Sequence, residues 1–176
     1  DNRIMNILLL PGAGAKNEKW IEEVSRAYEP YFDEVRVLHY LHWNNKDLDF
    51  DLEQELNRLA KKVVGLEPYV VFAKSAGSIL ACAAIAKELI HPKACLFAGL
   101  PLAMIQNHNL PIYRWLAESK CGITFMQNEN DPLGIYEDLR YFVSKLPKKN
   151  TQIYKLPGDT HDYRVEDILN FSRTAL

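Results

Sequence analysis

The sequence has no stretch of about 18 consecutive apolar residues, which excludes a membrane-spanning helix. It has only three cysteines, Cys82, Cys95 and Cys121, an odd number at wide spacing. That excludes a disulfide framework and gives no zinc-ligand pattern. Each lies in an apolar stretch, so the expectation is three buried free thiols in a reducing compartment, the cytoplasm. Charge of one sign is lacking too: 21 Lys and Arg face 23 Asp and Glu, a net charge of −2. Such a chain has no electrostatic drive toward nucleic acid or an anionic membrane surface. Internal repeats and low-complexity linkers are also missing. What is present is ordinary for a globular protein, with 48% hydrophobic and 25% charged residues in 176. A length of this size predicts one domain over 1–176 with its own core.

Two periodicities alternate along the chain. Apolar runs of strand length occupy 4–10, 35–40, 69–73, 94–98, 123–127 and 152–156. The first is shorter than the core of a signal peptide and reads as a strand. Several are apolar at nearly every position, as parallel strands covered on both faces are. Helical stripes lie between them. Trp20, Val24, Ala27 and Tyr28 share one face, and Leu52, Leu56, Leu59 and Val63 another, with Gly65 as a C-terminal cap. Ile135, Leu139, Phe142, Val143 and Leu146 form a third stripe, ended by Pro147. Val165, Ile168 and Leu169 begin a fourth. The stretch 76–90 is apolar nearly all round, which predicts a deeply buried helix. The alternation predicts an α/β three-layer sandwich: a mostly parallel six-stranded sheet with helices on both faces. Residues 44–51 are polar and read as a loop. Residues 99–111 contain glycine, two prolines and few charges, and read as a longer loop, with 99–117 a small flap.

In such sheets ligands bind beyond the carboxyl ends of the strands, so the loops that follow strands are the ones to search. The strongest signal is Tyr69-Val70-Val71-Phe72-Ala73-Lys74-Ser75-Ala76-Gly77-Ser78. An apolar strand runs through Ala-x-Ser-x-Gly directly into a helix. A tight turn of this kind needs small residues two before and two after its apex, and Ala73 and Gly77 supply them. The apex, Ser75, is then held in a strained conformation with its hydroxyl presented as a nucleophile. The free N–H of Ala76 at the helix start faces any oxyanion that develops there. The bland reading is a serine or Ser78 that merely caps a helix. Lys74 is set aside as a base for Ser75, because neighbours at a strand end project to opposite sides.

Pro11-Gly12-Ala13-Gly14-Ala15 follows the first strand. Its small residues let a backbone N–H of Ala13 or Gly14 approach a substrate oxygen and, with that of Ala76, form an oxyanion hole. A dinucleotide-binding loop is disfavoured, since Asn17 stands where the third glycine belongs; the Gly-Lys-Ser/Thr ending of a phosphate loop is missing too. The stretch Asn128-Glu129-Asn130-Asp131-Pro132 places an acid after the fifth strand. Asp131 fits best as the carboxylate that orients a base histidine, with Glu129 as rival and an Asx-Pro turn as the bland alternative. Pro157-Gly158-Asp159-Thr160-His161 places a histidine after the last strand. The chain order Ser75, Asp131, His161 is nucleophile, acid, base. His108 is the rival base. No Asp or Glu occurs between Glu88 and Glu118, so an acid after the fourth strand is excluded.

These motifs resemble the α/β-hydrolase superfamily, in particular its small single-domain serine hydrolases, and the resemblance spans nearly the whole chain. It implies Ser75 as nucleophile, His161 as general base, Asp131 as orienting acid, and Ala13 and Ala76 as oxyanion donors. There are departures. Pro11-Gly12 stands where His-Gly is common, and Ala73 replaces the first glycine of Gly-x-Ser-x-Gly. Lys74 holds a place often taken by histidine. Six strands stand for the usual eight, as in small members. The resemblance implies cleavage of an ester or thioester in preference to an amide, on a small-molecule acyl substrate or an acylated partner, without cofactor or metal. Lys16 and Lys74 at the mouth would favour an anionic substrate, or simply be solvated; Gly14 and Lys74 are taken as substrate-contacting. Two other classes compete: a non-catalytic binding protein on the same scaffold, its aromatic residues Trp20, Trp43 and Trp115 serving a partner, and a metal site at His39 and His42 with Asp47 or Asp49.

Overall fold

The computed structural model describes residues 5–147 and 151–175. Its framework is six strands: β1 (Asn6–Leu10), β2 (Val35–Val37), β3 (Tyr69–Lys74), β4 (Ala94–Ala98), β5 (Gly122–Asn128) and β6 (Thr151–Leu156). All pair in parallel, in the order β2-β1-β3-β4-β5-β6. Among the described residues seven α-helices flank them, six between strands and the last after β6: α1 (Lys16–Tyr28), α2 (Leu52–Lys62), α3 (Ala76–Ala86), α4 (Leu102–Asn107), α5 (Ile112–Glu118), α6 (Tyr136–Ser144) and α7 (Val165–Ala175); a short 3-10 turn occupies Leu41–Trp43. The expected strands are thus in place, the second shorter by three residues; Ile4, expected in the first, lies outside the described residues. Among the described residues no helix is long and apolar enough to cross a membrane.

Successive strand side chains point to opposite faces, and the core divides accordingly. Leu8, Leu10, Val71, Ala73, Cys95, Phe97, Ile123 and Phe125 face the layer of α2 to α6. Ile7, Leu9, Val70, Phe72, Leu96, Ala98 and Met126 face α1 and α7. This two-sided burial is why the strands carry apolar residues without alternation. Helix α2 begins where Asp51 accepts the Gln54 N–H at 2.9 Å, a side-chain N-cap. Helix α3 is buried from Ala76 to Ala84, as its all-round apolar pattern predicts. The polar stretch 44–51 carries no helix or strand.

Residues 99–117 depart from the expected loop and flap. They hold α4 and nearly all of α5, with Leu102, Ile105, Ile112 and Leu116 buried. Pro101 and Pro111 sit immediately before the two helices. Proline is well tolerated at a helix start, where its missing N–H is not needed. The prolines read as loop punctuation are therefore start signals, and a spacing of three or four between apolar residues marks both inner faces.

The strand order changes direction at β1, whose neighbours β2 and β3 lead to opposite edges of the sheet. At such a switch point the loops beyond β1 and β3 turn to opposite faces and leave a crevice. The first turn of α3 crosses directly over the end of β1. A Cβ on Gly77 would lie 2.1 Å from the Leu10 carbonyl oxygen and 2.8 Å from that of Pro11. Both contacts are backbone, so neither can yield without moving a strand. Gly77→Ala is expected to destabilise the fold by about 1–3 kcal/mol or to prevent folding, whereas Gly65→Ala, with nothing within 4 Å of its Cβ, bears only the strain of its φ of +73°. Urea unfolding of the two variants measures the contrast.

Candidate active site

Ser75 stands between β3 and α3 at φ 53° and ψ −121°, a conformation that side-chain-bearing residues rarely adopt. Three restraints hold it there. Its N–H donates to the Ala98 carbonyl at 3.1 Å, its carbonyl accepts the Ser78 N–H at 2.8 Å, and Gly77 locks the next turn onto β1. The residue is only 6% exposed.

His161, in the loop between β6 and α7, meets Ser75 directly. Its Nε2 lies 2.8 Å from the Ser75 Oγ. Its Nδ1 lies 2.9 and 2.8 Å from the two carboxylate oxygens of Asp131. The three residues, 86 positions apart at their extremes, form one hydrogen-bonded chain. With Nδ1 donating to Asp131, Nε2 is the acceptor for the serine hydroxyl. Gly99, at φ +64°, lies beneath: a Cβ there would meet the Tyr163 ring at 2.7 Å and His161 at 3.1 Å.

Asp131 is fully buried, so its charge needs partners. Its Oδ1 accepts the Leu133 N–H at 2.9 Å, and its Oδ2 accepts the Tyr163 hydroxyl at 2.8 Å. Tyr163 in turn accepts the Asn128 N–H at 2.9 Å. Burial, and then the nearby Asp131 charge, push the Tyr163 phenol far above its ordinary range, so it remains a donor. The rival acid, Glu129, points to solvent and pairs with Lys155 at 3.1 Å. The rival base, His108, closes the C-terminal end of α4 and is exposed.

Several positioning groups carry no motif and were not singled out from the sequence. Asn128 donates to the carbonyls of Thr160 and Asp162, gripping the histidine loop on both sides of His161 at 2.9 and 3.0 Å. Gln127, fully buried, joins the loop after β4 to the loop after β5. It accepts the Leu100 N–H at 3.0 Å and donates to the Gly134 carbonyl at 2.5 Å. The sequence hint is two adjacent amides ending a mostly apolar strand.

The loop after β1 lies across the switch point. Tyr40 donates to the Pro11 carbonyl at 2.5 Å, and His42 and Trp43 donate to the Ala13 carbonyl at 2.6 and 2.8 Å. Asn17 donates to the Gly14 carbonyl through its backbone N–H at 2.9 Å and its side-chain amide at 3.0 Å. With these carbonyls occupied, the Ala13 N–H meets no protein acceptor among the described residues. Ala76, as the first residue of α3, has an N–H that the helix itself leaves without an acceptor. His42 is thus engaged with the loop, while His39 bonds Glu22 at 2.5 Å. The two rings of the considered metal site have separate partners.

Lys16 lies at the rim, paired with Asp162 at 2.7 Å. Lys74 does not. It is 3% exposed, its amine donating to Asn17 Oδ1 at 3.1 Å and lying 5.5 Å from the Trp20 ring centre. The expectation of a lysine at the mouth fails because the strand pleat turns its side chain under α1, away from Ser75's face. Burial is the main reason its pKa falls to about 8; Asp162 and Asp131 oppose the fall and Lys16 adds to it. The unfolded chain holds this proton up to the ordinary 10.5. Between those values the unfolded state binds more protons, so stability should rise with pH. Relative to Lys74→Met, the wild type is expected to gain stability in urea titrations as pH rises from 8 toward 10.5. A pH-independent difference between the two would refute this.

No family model matches the chain, and no curated protein matches it by sequence. Solved structures do match it. An N-formylmaleamic acid deformylase from Pseudomonas putida superposes with a TM-score of 0.69 at 16% identity, covering 96% of this chain and 90% of its own. An alpha/beta hydrolase from Sphaerobacter thermophilus gives 0.72 at 13% identity, with 98% and 93% covered. A cold-adapted esterase from an Arctic intertidal metagenomic library gives 0.63 at 14% identity, with 92% and 74% covered. At these identities the likeness is one of architecture, and it agrees with the strand order and helix layers described above: the chain has a minimal α/β-hydrolase fold.

Proposed function

We propose that the protein is a serine hydrolase that cleaves an ester or thioester of a small acyl substrate or acylated partner. The observation that carries this reading is the unbroken hydrogen-bonded chain from the Ser75 hydroxyl through His161 to the buried Asp131. A protein that only binds has no need of a serine in a strained turn aligned with a histidine whose tautomer is set by a carboxylate. The structural likeness to a deformylase and an esterase supports hydrolysis as the reaction class.

In this mechanism Ser75 Oγ attacks the substrate carbonyl while His161 Nε2 takes its proton. Asp131 stabilises the imidazolium that forms. The negative oxygen of the tetrahedral intermediate is met by the N–H groups of Ala13 and Ala76, both without an acceptor among the described residues and held by the loop bonds and the helix start. On collapse, His161 protonates the leaving group and an acyl-Ser75 remains. A water deprotonated by His161 then resolves it. Gly14 lies at the open side of this loop, where a substituent would pass. Lys74, buried under α1, supports this loop through Asn17, which holds the Gly14 carbonyl.

A fluorophosphonate probe is expected to label Ser75, with labelling abolished in Ser75→Ala; folded wild-type protein that resists the probe would overturn the proposal. His161→Ala should lower the hydrolysis of p-nitrophenyl esters by about three orders of magnitude or more. For the acid, Asp131→Asn should lower turnover by about 10⁴-fold through the wrong histidine tautomer, while Glu129→Gln stays within about twofold. The opposite ranking, read from the same steady-state assay, would reassign the acid.

A further inference from the structure

The three cysteines, read from the sequence as separate buried thiols, come together at the end of the sheet opposite Ser75. Cys82 on α3 and Cys95 on β4 are buried, but Cys121, in the bend before β5, is partly exposed. Cys95 Sγ and Cys121 Sγ lie 3.6 Å apart. Cys121 opens onto a groove of about 650 Å³ that runs between the α3–β4 connection and the end of α5. Lys87, Lys93 and Lys120 line it together with Glu88 and Glu118, and Lys87 pairs with Glu53 at 2.8 Å.

We propose that Cys121 and Cys95 are a peroxide-reactive thiol pair, with Cys121 attacking and Cys95 resolving. The two sulfurs have unequal surroundings. The hydrogen bond between them, with Cys95 as donor, draws the Cys121 pKa down, against the effect of its burial. The same bond, and then complete burial, push the Cys95 thiol well up. Of the two sulfurs Cys121 is therefore the more readily deprotonated, and it is also the one that faces the groove, where hydrogen peroxide can reach it. The Cys121 thiolate attacks one peroxide oxygen. An S–O bond forms, the O–O bond breaks, and the departing hydroxide takes up a proton as water. Cys121 is oxidised by two electrons to the sulfenic acid and the peroxide is reduced. Cys95 sulfur then attacks Cys121 sulfur. The S–S bond forms, the S–O bond breaks, and the Cys95 proton leaves with the hydroxyl as a second water. Closing from 3.6 Å to a bond of about 2.05 Å requires movement. Cys95 is fixed in a central strand, whereas Cys121 precedes the first residue of β5 and can shift with its bend. Cys82, buried and with its thiol pushed up by that burial, takes no part.

The pair is independent of the hydrolase proposal, since no residue is shared. The test treats native protein with hydrogen peroxide and reads intact mass, then maps cross-linked peptides. The expected result is a loss of about 2 Da, two hydrogens, with Cys95 joined to Cys121 and Cys82 still free to alkylation. In Cys95→Ser the Cys121 sulfenic acid should persist and be trapped by dimedone; in Cys121→Ser neither product should form. The mapping of the wild type needs no variant to fold. Native protein that keeps all three thiols under peroxide that oxidises free N-acetylcysteine would overturn the proposal. So would a cross-link that involves Cys82.

Discussion

The structure depends on one close crossing of backbone. The first turn of α3 lies so near the end of β1 that only hydrogen fits at Gly77. That contact, with the bond from Ser75 N–H to Ala98, holds Ser75 in a conformation it would not adopt alone. It also sets the helix start beside the loop after β1. Strain at Ser75 is a local cost, of about 1–3 kcal/mol for such conformations, and it is offset by a core that buries both faces of the sheet.

The second organising element is polar. Asp131 is a fully buried charge, and three donors converge on it: His161, Tyr163 and the Leu133 N–H. Tyr163 in the loop after β6 and Asn128 at the end of β5 bond each other, so the partners of the carboxylate are themselves fixed. Gln127 and Asn128 end β5 with two amides, and each bridges to a different neighbouring loop. A buried network of this kind orients His161 as a rigid group, since every member is satisfied. Lys74 plays a corresponding part under the loop after β1: its ammonium reaches Asn17, and Asn17 reaches Gly14.

The sheet therefore has two ends of different chemistry. The carboxyl ends of the strands carry the serine, histidine and aspartate with their supporting amides. The amino ends of β4 and β5 carry the thiol pair beside a groove of mixed charge. The strands between are apolar and rigid, which keeps the two ends chemically separate while packing them into one sheet.

Much of this was legible in the residues themselves. Apolar runs without alternation specify covered parallel strands, because both faces must be hydrophobic. Small residues on both sides of Ser75 specify a tight turn, because nothing larger fits; and Ser75, Asp131 and His161 each follow a strand, where parallel sheets leave their loops. Other features had no local signature. The helices within 99–117 were hidden by prolines that mark helix starts as readily as loops. The roles of Tyr163, Gln127 and Asn128 arise from side chains that meet across loops far apart in the chain. Lys74 could be placed under α1 only once the pleat and the crossover were known, and Cys95 and Cys121 became neighbours only when β5 took its place beside β4. Local sequence determined which elements form and which residues their ends present, through periodicity and steric fit. Only the tertiary structure decided which of those residues touch, because contact distance and burial belong to the packed chain and have no counterpart in sequence spacing.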